Sequence, residues 1–320
     1  MVLRGLLSVA ARMLGADAGA DVVVVGGVSM EYVMHTPHVP VAHDVEAEQF
    51  LKLVGGRGAN QATAVSRLEV RPLLIARVGN DAEGAQAKAE LESEGVLTSY
   101  VVEDSSAGTG AAIVTVDRDG ESQSSYWLGA NAKLTVSDVM RAEQAIKATL
   151  VLLVQLDCPL EVVAAALRIA RGASVYTILD PAPAAELPDS VLELVDFITV
   201  DIHEARVLTG IEVTDEETAR AAAANLVSRG VGAAAVQAGP DGTFLMSPYG
   251  NLLVPVYSVD VVDKTGSSDA FAAAMAAGMA TGEDVRRAVR FANAAAALAT
   301  TVFGGKPSLP SRSQVLDFLQ

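Results

Sequence analysis

A single cysteine, Cys158, serves a chain of 320 residues. That scarcity excludes an internal disulfide framework and a cysteine-rich zinc site, and it suits a reducing compartment. Histidine is rare as well. His35, His38, His43 and His203 are too scattered for a His-ligated metal centre. Basic residues run short, with Lys+Arg 23 against Asp+Glu 39 and a formal net charge of −16. Such a chain is not built to bind nucleic acid or an anionic membrane across a broad surface. A small anion in one local pocket is still compatible with it. No apolar run reaches the roughly 18 to 20 uncharged residues that span a bilayer. There is no long linker, no low-complexity segment and no repeat at solenoid periods. What is present is 51% hydrophobic and 19% charged, a globular composition. The length suits one large domain, with room for a smaller appendage.

The first twenty residues stand apart as an extension. Arg4, Ser8 and Arg12 recur every four residues and make one polar helical stripe among Leu3, Leu6, Leu7, Met13 and Leu14. No acidic residue precedes Asp17. An organellar transit peptide has this pattern, and so does an extra N-terminal helix or an early start codon.

From Asp21 the pattern becomes an alternation of strands and helices. Buried strands are expected at 21–27, 72–79, 151–156, 175–180, 196–200 and 233–239. Helices are expected at 56–68, 83–95, 159–171 and 215–229. This alternation implies a mostly parallel sheet covered on both faces, with ligands at the carboxyl ends of its strands. Two stretches, 29–53 and 110–128, are more polar and strand-like. The second holds a hairpin around Asp119-Gly120, and together they suggest a small sheet projecting from the main domain.

Two motifs carry chemistry. In VVDKTGSSDAFAAAMAAGMATG (261–282), small residues Gly266, Ser267 and Ser268 precede an Ala-rich helix. A helix N-terminus exposes unpaired N–H groups and can hold an anion. Asp269, in the first turn, reads either as an ordinary acid facing the helix dipole or as a general base beside that anion. In GGRGANQATA (55–64), glycines let the backbone approach a ligand, and Arg57 and Asn60 bring directional donors that suit a polyol. A plain tight turn explains the same glycines.

Taken together and in this order, these motifs resemble the PfkB family of carbohydrate kinases, in particular its ribokinase members. Those read GGKGANQA where this chain has GGRGANQA (55–62), and GANAxLT where it has GANAKLT (129–135). QLExPL is matched by QLDCPL (155–160), and NPAPAxxLP by DPAPAAELP (180–188). LTGI (208–211) and RFANAAAA (290–297) match as well. The resemblance covers nearly the whole chain from Asp21 onward.

The resemblance implies a three-layer α/β/α sandwich with a mostly parallel central sheet. A small β-sheet lid would come from about 29–53 and 110–128. The implied reaction is transfer of the ATP γ-phosphoryl group to a hydroxyl of ribose or a related sugar. Asp269 would be the base, and Gly266, Ser267 and Ser268 the anion hole. Glu31, Gly55, Gly56, Arg57, Asn60 and Asp157 would meet the sugar. Asp201, Gln237, Gly239, Gly242 and Asn293 would line the nucleotide region. Glu204 would hold Mg²⁺ through water. Asp263, Thr265, Ala299, Val302, Gly304 and Ser308 would hold a monovalent cation such as K⁺. Partners would be the sugar, ATP and a second copy paired through the lid. The implied compartment is the cytoplasm, or an organelle if residues 1–20 are a transit peptide.

The departures from the family pattern fall where the chemistry should be. GSSD replaces GAGD, so Ser268 puts a Cβ before the base. Lys264 interrupts a DTT and reads either as a cation near the phosphates or the ion site, or as a surface lysine. Asp201 replaces the Asn of NxxE and adds charge. Glu31 replaces an Asp, Arg57 a Lys and Asp157 a Glu, so the sugar contacts are shifted in length and shape. Two other readings therefore stay open: a nucleoside kinase of the same fold, and a catalytically impaired relative with a binding or regulatory role.

Overall fold

The computed structural model describes residues 19–40 and 43–320. Apart from Gly19 and Ala20, the N-terminal extension lies outside the described residues. In chain order the strands are β1 (Val22–Val25), β2 (Ser29–His35), β3 (Gln49–Gly55), β4 (Pro72–Gly79), β5 (Leu97–Asp104), β6 (Gly110–Val116) and β7 (Ser122–Trp127). Then come β8 (Val151–Val154), β9 (Tyr176–Leu179), β10 (Phe197–Val200), β11 (Ala234–Gln237), β12 (Thr243–Met246) and β13 (Leu252–Val254).

Nine of these form one sheet in the order β13-β12-β11-β10-β9-β8-β1-β4-β5. From β11 to β5 neighbours run parallel, while β12 and β13 are antiparallel additions at one edge. The four valines of β1 are fully buried. Val22 and Val24 belong to the core on one face, Val23 and Val25 to the core on the other. A continuous β-branched run is what a strand covered by helices on both faces requires. On the first face the Ala-rich helix Ser267–Ala280 packs beside the helix Val285–Ala299. The alanine side chains let these helices lie close to the sheet.

β1 lies between β8 and β4, so the strand order reverses there. Chains leaving a parallel sheet at such a reversal part to opposite faces and open a crevice at the carboxyl ends of the strands. Gly26-Gly27, Gln155-Leu156-Asp157, Asp180 and Asp201 directly follow β1, β8, β9 and β10.

The remaining strands form the smaller sheet, β3-β2-β6-β7. One face buries Val33, Val114 and Val116 against Leu51, Leu53 and Phe303. Elsewhere on this sheet Phe50, Ile113, Tyr126 and Trp127 are exposed, and β7 is exposed along its whole length.

The expected elements recur with ends that coincide or shift by one or two residues. Unexpected were β5, β12 and β13, and the helices Val136–Arg141, Glu143–Ala148, Asp189–Leu192, Ile202–Thr209, Val285–Ala299, Gly305–Ser308 and Arg312–Phe318. β5 carries polar residues along LTSYVVED, and β13 has 3 residues, so neither has the long apolar run that marks a central strand.

The helix Arg57–Arg67 sits directly on the exit of β1. A Cβ at Gly58 would come within 2.6 Å of the Gly26 carbonyl carbon and 2.8 Å of the Gly27 nitrogen. Gly58→Ala should therefore destabilise the chain by about 1–3 kcal/mol, the usual cost of overpacking. Gly172→Ala is the control, because nothing lies within 4 Å of its Cβ position. Urea melts of the two variants check this, and equal midpoints would contradict it.

Candidate active site

Six helices among the described residues carry a side-chain N-cap, from Asp81, Thr135, Asp201, Asp215, Asp284 and Ser311. Three others begin at a glycine with no side-chain cap. These are Arg57–Arg67 after Gly56 (φ 88), Ser267–Ala280 after Gly266 (φ 85) and the short Gly305–Ser308 after Gly304 (φ 91). All three φ values favour glycine. The three ends converge. A Cβ on Gly266 would meet the Gly305 carbonyl oxygen at 2.9 Å, and one on Gly305 would lie 3.6 Å from Asn60 Nδ2. Helix N-termini carry partial positive charge and first-turn N–H groups without intrahelical partners. The Ser267 N–H makes a long 3.3 Å bond to the Lys264 carbonyl. Ser268 lies within regular helix, so its Cβ costs no backbone strain.

Against this positive rim lies a set of buried carboxylates. Glu31, Asp157, Asp180, Glu204 and Asp269 are each less than one-tenth exposed. Arg57 is the basic side chain whose field reaches all five. Burial works against its charge, but Asp180, Asp269, Glu204 and Asp157 outweigh it and raise its pKa. Asp269 lies at the centre. Asn60 Nδ2 donates to its Oδ2 at 3.0 Å and Gln61 Nε2 to its Oδ1 at 3.0 Å. Burial raises the Asp269 pKa, and Arg57, Asn60 and Gln61 pull it back. Gln61 Nε2 also donates to Asp180 Oδ2 at 2.7 Å, and Gln61 Oε1 accepts from Gln155 Nε2.

On the side facing the smaller sheet, Glu31 folds back on the glycine loop. Its Oε1 accepts from the Gly56 N–H at 2.9 Å, and a Cβ on Gly55 would strike its carboxylate at 2.2 Å. The added methylene, relative to aspartate, is taken up there. Glu31 Oε2 and Asn60 Oδ1 are buried without a hydrogen-bond partner. Asp157 Oδ1 accepts from the Gly27 N–H at 2.8 Å. Burial raises its pKa to about 6, with Arg57 and the Gly27 N–H opposing. Asn131 clamps the next residue, accepting from the Val28 N–H at 2.9 Å and donating to the Val28 carbonyl at 2.8 Å.

Asp201 and Glu204 form a reciprocal cap. Asp201 Oδ1 accepts from the Glu204 N–H at 2.7 Å, and Glu204 Oε2 from the Asp201 N–H at 2.8 Å. The Asp that replaces Asn thus has an ordinary capping role. Burial, then the Asp201 charge, raises the Glu204 pKa to about 7. Asp201 and Gln237 line an open cleft of about 390 Å³ with Ile202, His203, Arg206 and Glu212. Gly239 has space above it, its Cβ position lying 3.7 Å from Ile202. Gly242 serves packing instead, because a Cβ there would lie 2.0 Å from the Val254 carbonyl oxygen. Asn293 ties that edge together, accepting from Thr243 Oγ1 at 3.0 Å and donating to the Pro255 carbonyl at 2.9 Å.

Asp263 is fully buried and accepts from the Thr265 and Gly304 N–H groups, each at 2.8 Å. Ser308 Oγ donates to the Gly305 carbonyl at 2.6 Å, and Thr265 Oγ1 is buried without a partner. Ala299 ends the helix Val285–Ala299, and Val302 lies in the bend that follows it. Lys264 points away from this group. Its Nζ lies 2.5 Å from Glu121 Oε1, on the hairpin of the smaller sheet. A larger hollow of about 670 Å³, lined by Tyr126, Trp127 and Lys133 among others, opens on that sheet and includes none of the residues around Asp269.

Gln61, Gln155, Asp180 and Asn131 were not singled out from the sequence. Each stands inside a quoted motif, but a neutral amide or a carboxylate at a strand end has no signature until its partner is known.

The raised pKa of Asp157 fixes the sign of a pH effect. The folded chain holds this proton up to about pH 6, against an ordinary value of 3.8. The contribution to stability is full below the ordinary value and is lost as pH rises through about 6. At about 1.36 kcal/mol per pH unit it amounts to about 3 kcal/mol. Thermal melts without ligand should fall in midpoint between pH 5 and pH 7 by a few degrees more than those of Asp157→Asn. Parallel curves for the two proteins would contradict the assignment.

With this geometry, the likenesses to known proteins are specific. The sequence profile described as "pfkB family carbohydrate kinase" matches residues 20–312. The ribokinase of Haemophilus influenzae is 32% identical over 298 residues, covering 93% of this chain and 97% of that protein. The deoxyribokinase of Salmonella typhi is 31% identical over 301 residues, covering 93% and 98%. The structure of Arabidopsis thaliana ribokinase complexed with ribose and ATP superposes with a TM-score of 0.84 at 28% identity, covering 95% of this chain and 99% of that one. The buried Asp269 at a glycine-capped helix end, the crevice at the strand reversal and a match from residue 20 to residue 312 lead to one conclusion: this chain belongs to the pfkB family of carbohydrate kinases, phosphotransferases that act on a sugar hydroxyl.

Proposed function

We propose that this chain transfers the γ-phosphoryl group of ATP to a hydroxyl of ribose, on the O5 side by analogy with ribokinase. The observation that carries the reading is the placement of Asp269. Its carboxylate is buried, held by Asn60 and Gln61, and set in the first turn of the uncapped helix that begins at Gly266. A hydroxyl between Asp269 and that helix end gives up its proton to the carboxylate as its oxygen attacks phosphorus. The first-turn N–H groups at Gly266, Ser267 and Ser268 face the charge that develops on the transferred group. The unpartnered Glu31 Oε2 and Asn60 Oδ1 accept hydrogen bonds from other sugar hydroxyls, and Asp157 and Arg57 complete that wall. An intact grip on Asp269 argues against the impaired reading.

Asp201, Gln237, Gly239 and Asn293 border the nucleotide. Glu204 would hold Mg²⁺ through water, and the ion would supply charge neutralisation on the phosphates. Its buried carboxyl, with one oxygen not committed to the cap, fits that task. The fully buried Asp263 and the unpartnered Thr265 Oγ1 fit a monovalent cation such as K⁺, with carbonyls of Ala299, Val302 and Gly304 and the Ser308 hydroxyl supplied by the segment that Asp263 meets through Thr300 and Gly304. The smaller sheet acts as the lid, and residues 21–320 make up the kinase domain. The exposed Phe50, Ile113, Tyr126 and Trp127 on that sheet support a homodimer paired through it. No helix among the described residues is long and apolar enough to cross a membrane. The buried free Cys158 fits a reducing compartment such as the cytoplasm.

Two experiments test these readings. ADP release from Mg²⁺-ATP in potassium buffer should depend on ribose, and Asp269→Asn should lower it by roughly 10²- to 10⁴-fold with ATP binding retained. Turnover unaffected by the substitution would remove Asp269 as the base. A preference for nucleosides across a sugar and nucleoside panel would replace the acceptor. Light scattering should give a dimer for the wild type and a monomer for Tyr126→Lys/Trp127→Lys; an unchanged mass would sink the lid-pairing reading.

A further inference from the structure

Gln61 takes no part in the chemistry outlined above, yet its side chain is fully buried. A buried primary amide is costly unless its atoms are paired. Here both Nε2 hydrogens and Oε1 have partners: Asp269 and Asp180 accept, and Gln155 donates. The amide has one workable orientation. Turned over, its oxygen would face two carboxylates.

The partners of Gln61 are anchored on rigid backbone. Gln155 follows β8 and Asp180 follows β9, adjacent parallel strands. The Asp180 N–H also donates to the Val154 carbonyl at 3.0 Å. The sheet therefore holds Gln61, and Gln61 holds Asp269. Asn60 alone gives the base one donor, on Oδ2. A carboxylate held at one oxygen can swing about its Cβ–Cγ bond. A second donor on Oδ1 fixes its plane and leaves further lone pairs to receive a proton.

We propose that Gln61, clamped by Gln155 and Asp180, is the positioning residue that fixes the carboxylate plane of Asp269 for proton transfer, with Asp180 serving as the acceptor for Gln61. The proposal rests on the assignment of Asp269 as the base. It also accounts for Asp180 where ribokinases read Asn. An Asn side-chain oxygen would accept from Gln61 equally well, so the position demands an acceptor rather than a charge.

The test uses the full chain with Mg²⁺-ATP and ribose. Gln61→Leu should lower kcat by roughly 10- to 100-fold, the range of a lost hydrogen bond to a charged group. KM for both substrates should stay within about threefold, because Gln61 meets neither. The acid limb of the kcat profile should move to higher pH. The charged groups facing Asp269 are Arg57 at the start of the helix Arg57–Arg67, Glu31 on β2, Asp157 after β8, Asp180 after β9 and Glu204 in the helix after β10. Apart from Arg57 these are acids, so a lost donor leaves the ionised base less supported and its pKa rises. Asp180→Asn should keep kcat within about threefold. Asp180→Leu should fall as far as Gln61→Leu, and the double variant Gln61→Leu/Asp180→Leu no further than Gln61→Leu alone.

Wild-type kcat for a folded Gln61→Leu, or losses that multiply in the double variant, would overturn the positioning role. If Gln61→Leu does not fold, the comparison of Asp180→Asn with Asp180→Leu decides. Equal losses in those two would refute the acceptor role, and a loss confined to Leu would support it. Asp269→Asn is run beside them. Full turnover there would overturn the base assignment and this proposal with it, whereas an inactive Asp269→Asn with an unaffected Gln61→Leu would overturn the positioning role alone.

Discussion

The grip of two neighbouring amides on one buried carboxylate organises this molecule. Asn60 reaches Asp269 across 209 positions of chain and Gln61 across 208. For those bonds to form, two helices from opposite ends of the chain must bring their N-termini together. That convergence requires glycine at Gly56 and Gly266, where the backbone turns with positive φ, and at Gly58, where no Cβ fits. It also requires the sheet to reverse its order beside β1, because only there do loops from β1, β8, β9 and β10 face one crevice.

The electrostatics follow from this packing. A buried carboxylate is costly, and five of them around one Arg57 would repel strongly if all were ionised. Three devices offset the cost. Backbone N–H groups receive Glu31 and Asp157, amide side chains receive Asp180 and Asp269, and three helix ends contribute partial positive charge. Burial first, and then the neighbouring negative charge, keeps the pKa values of Asp157 and Glu204 high. Stability is thus given up in the crevice where the proposed base stands.

The departures from the family pattern meet different fates in the fold. Ser268 takes a helical conformation open to any residue, and Asp201 becomes a helix cap. The extra length of Glu31 is absorbed against Gly55 and Gly56. Lys264 reaches the hairpin of the smaller sheet through Glu121. A half-exposed ion pair of this kind adds little stability, but it joins the segment before the helix end at Gly266 to the smaller sheet.

The sequence by itself determined the strand and helix alternation, the polar character of the smaller sheet and the motifs that hold Asp269, Asn60 and the glycines. Those features are local: β-branched runs such as Val22–Val25 and glycines at tight turns express their preference within a few residues. Edge strands such as β5 and β13 escaped, because their residues satisfy one neighbour or solvent and leave no strong pattern. Only the tertiary structure decided which polar residues act together. Gln61, Gln155 and Asp180 are unremarkable one by one, and they become a chain of hydrogen bonds when β8, β9 and the helix Arg57–Arg67 meet. The roles of Asp201 and Lys264 were settled the same way, by Glu204 at the helix start and by Glu121 across the fold. A side chain's hydrogen-bond partner depends on positions distant in sequence, and no pattern of residues along the chain encodes that distance.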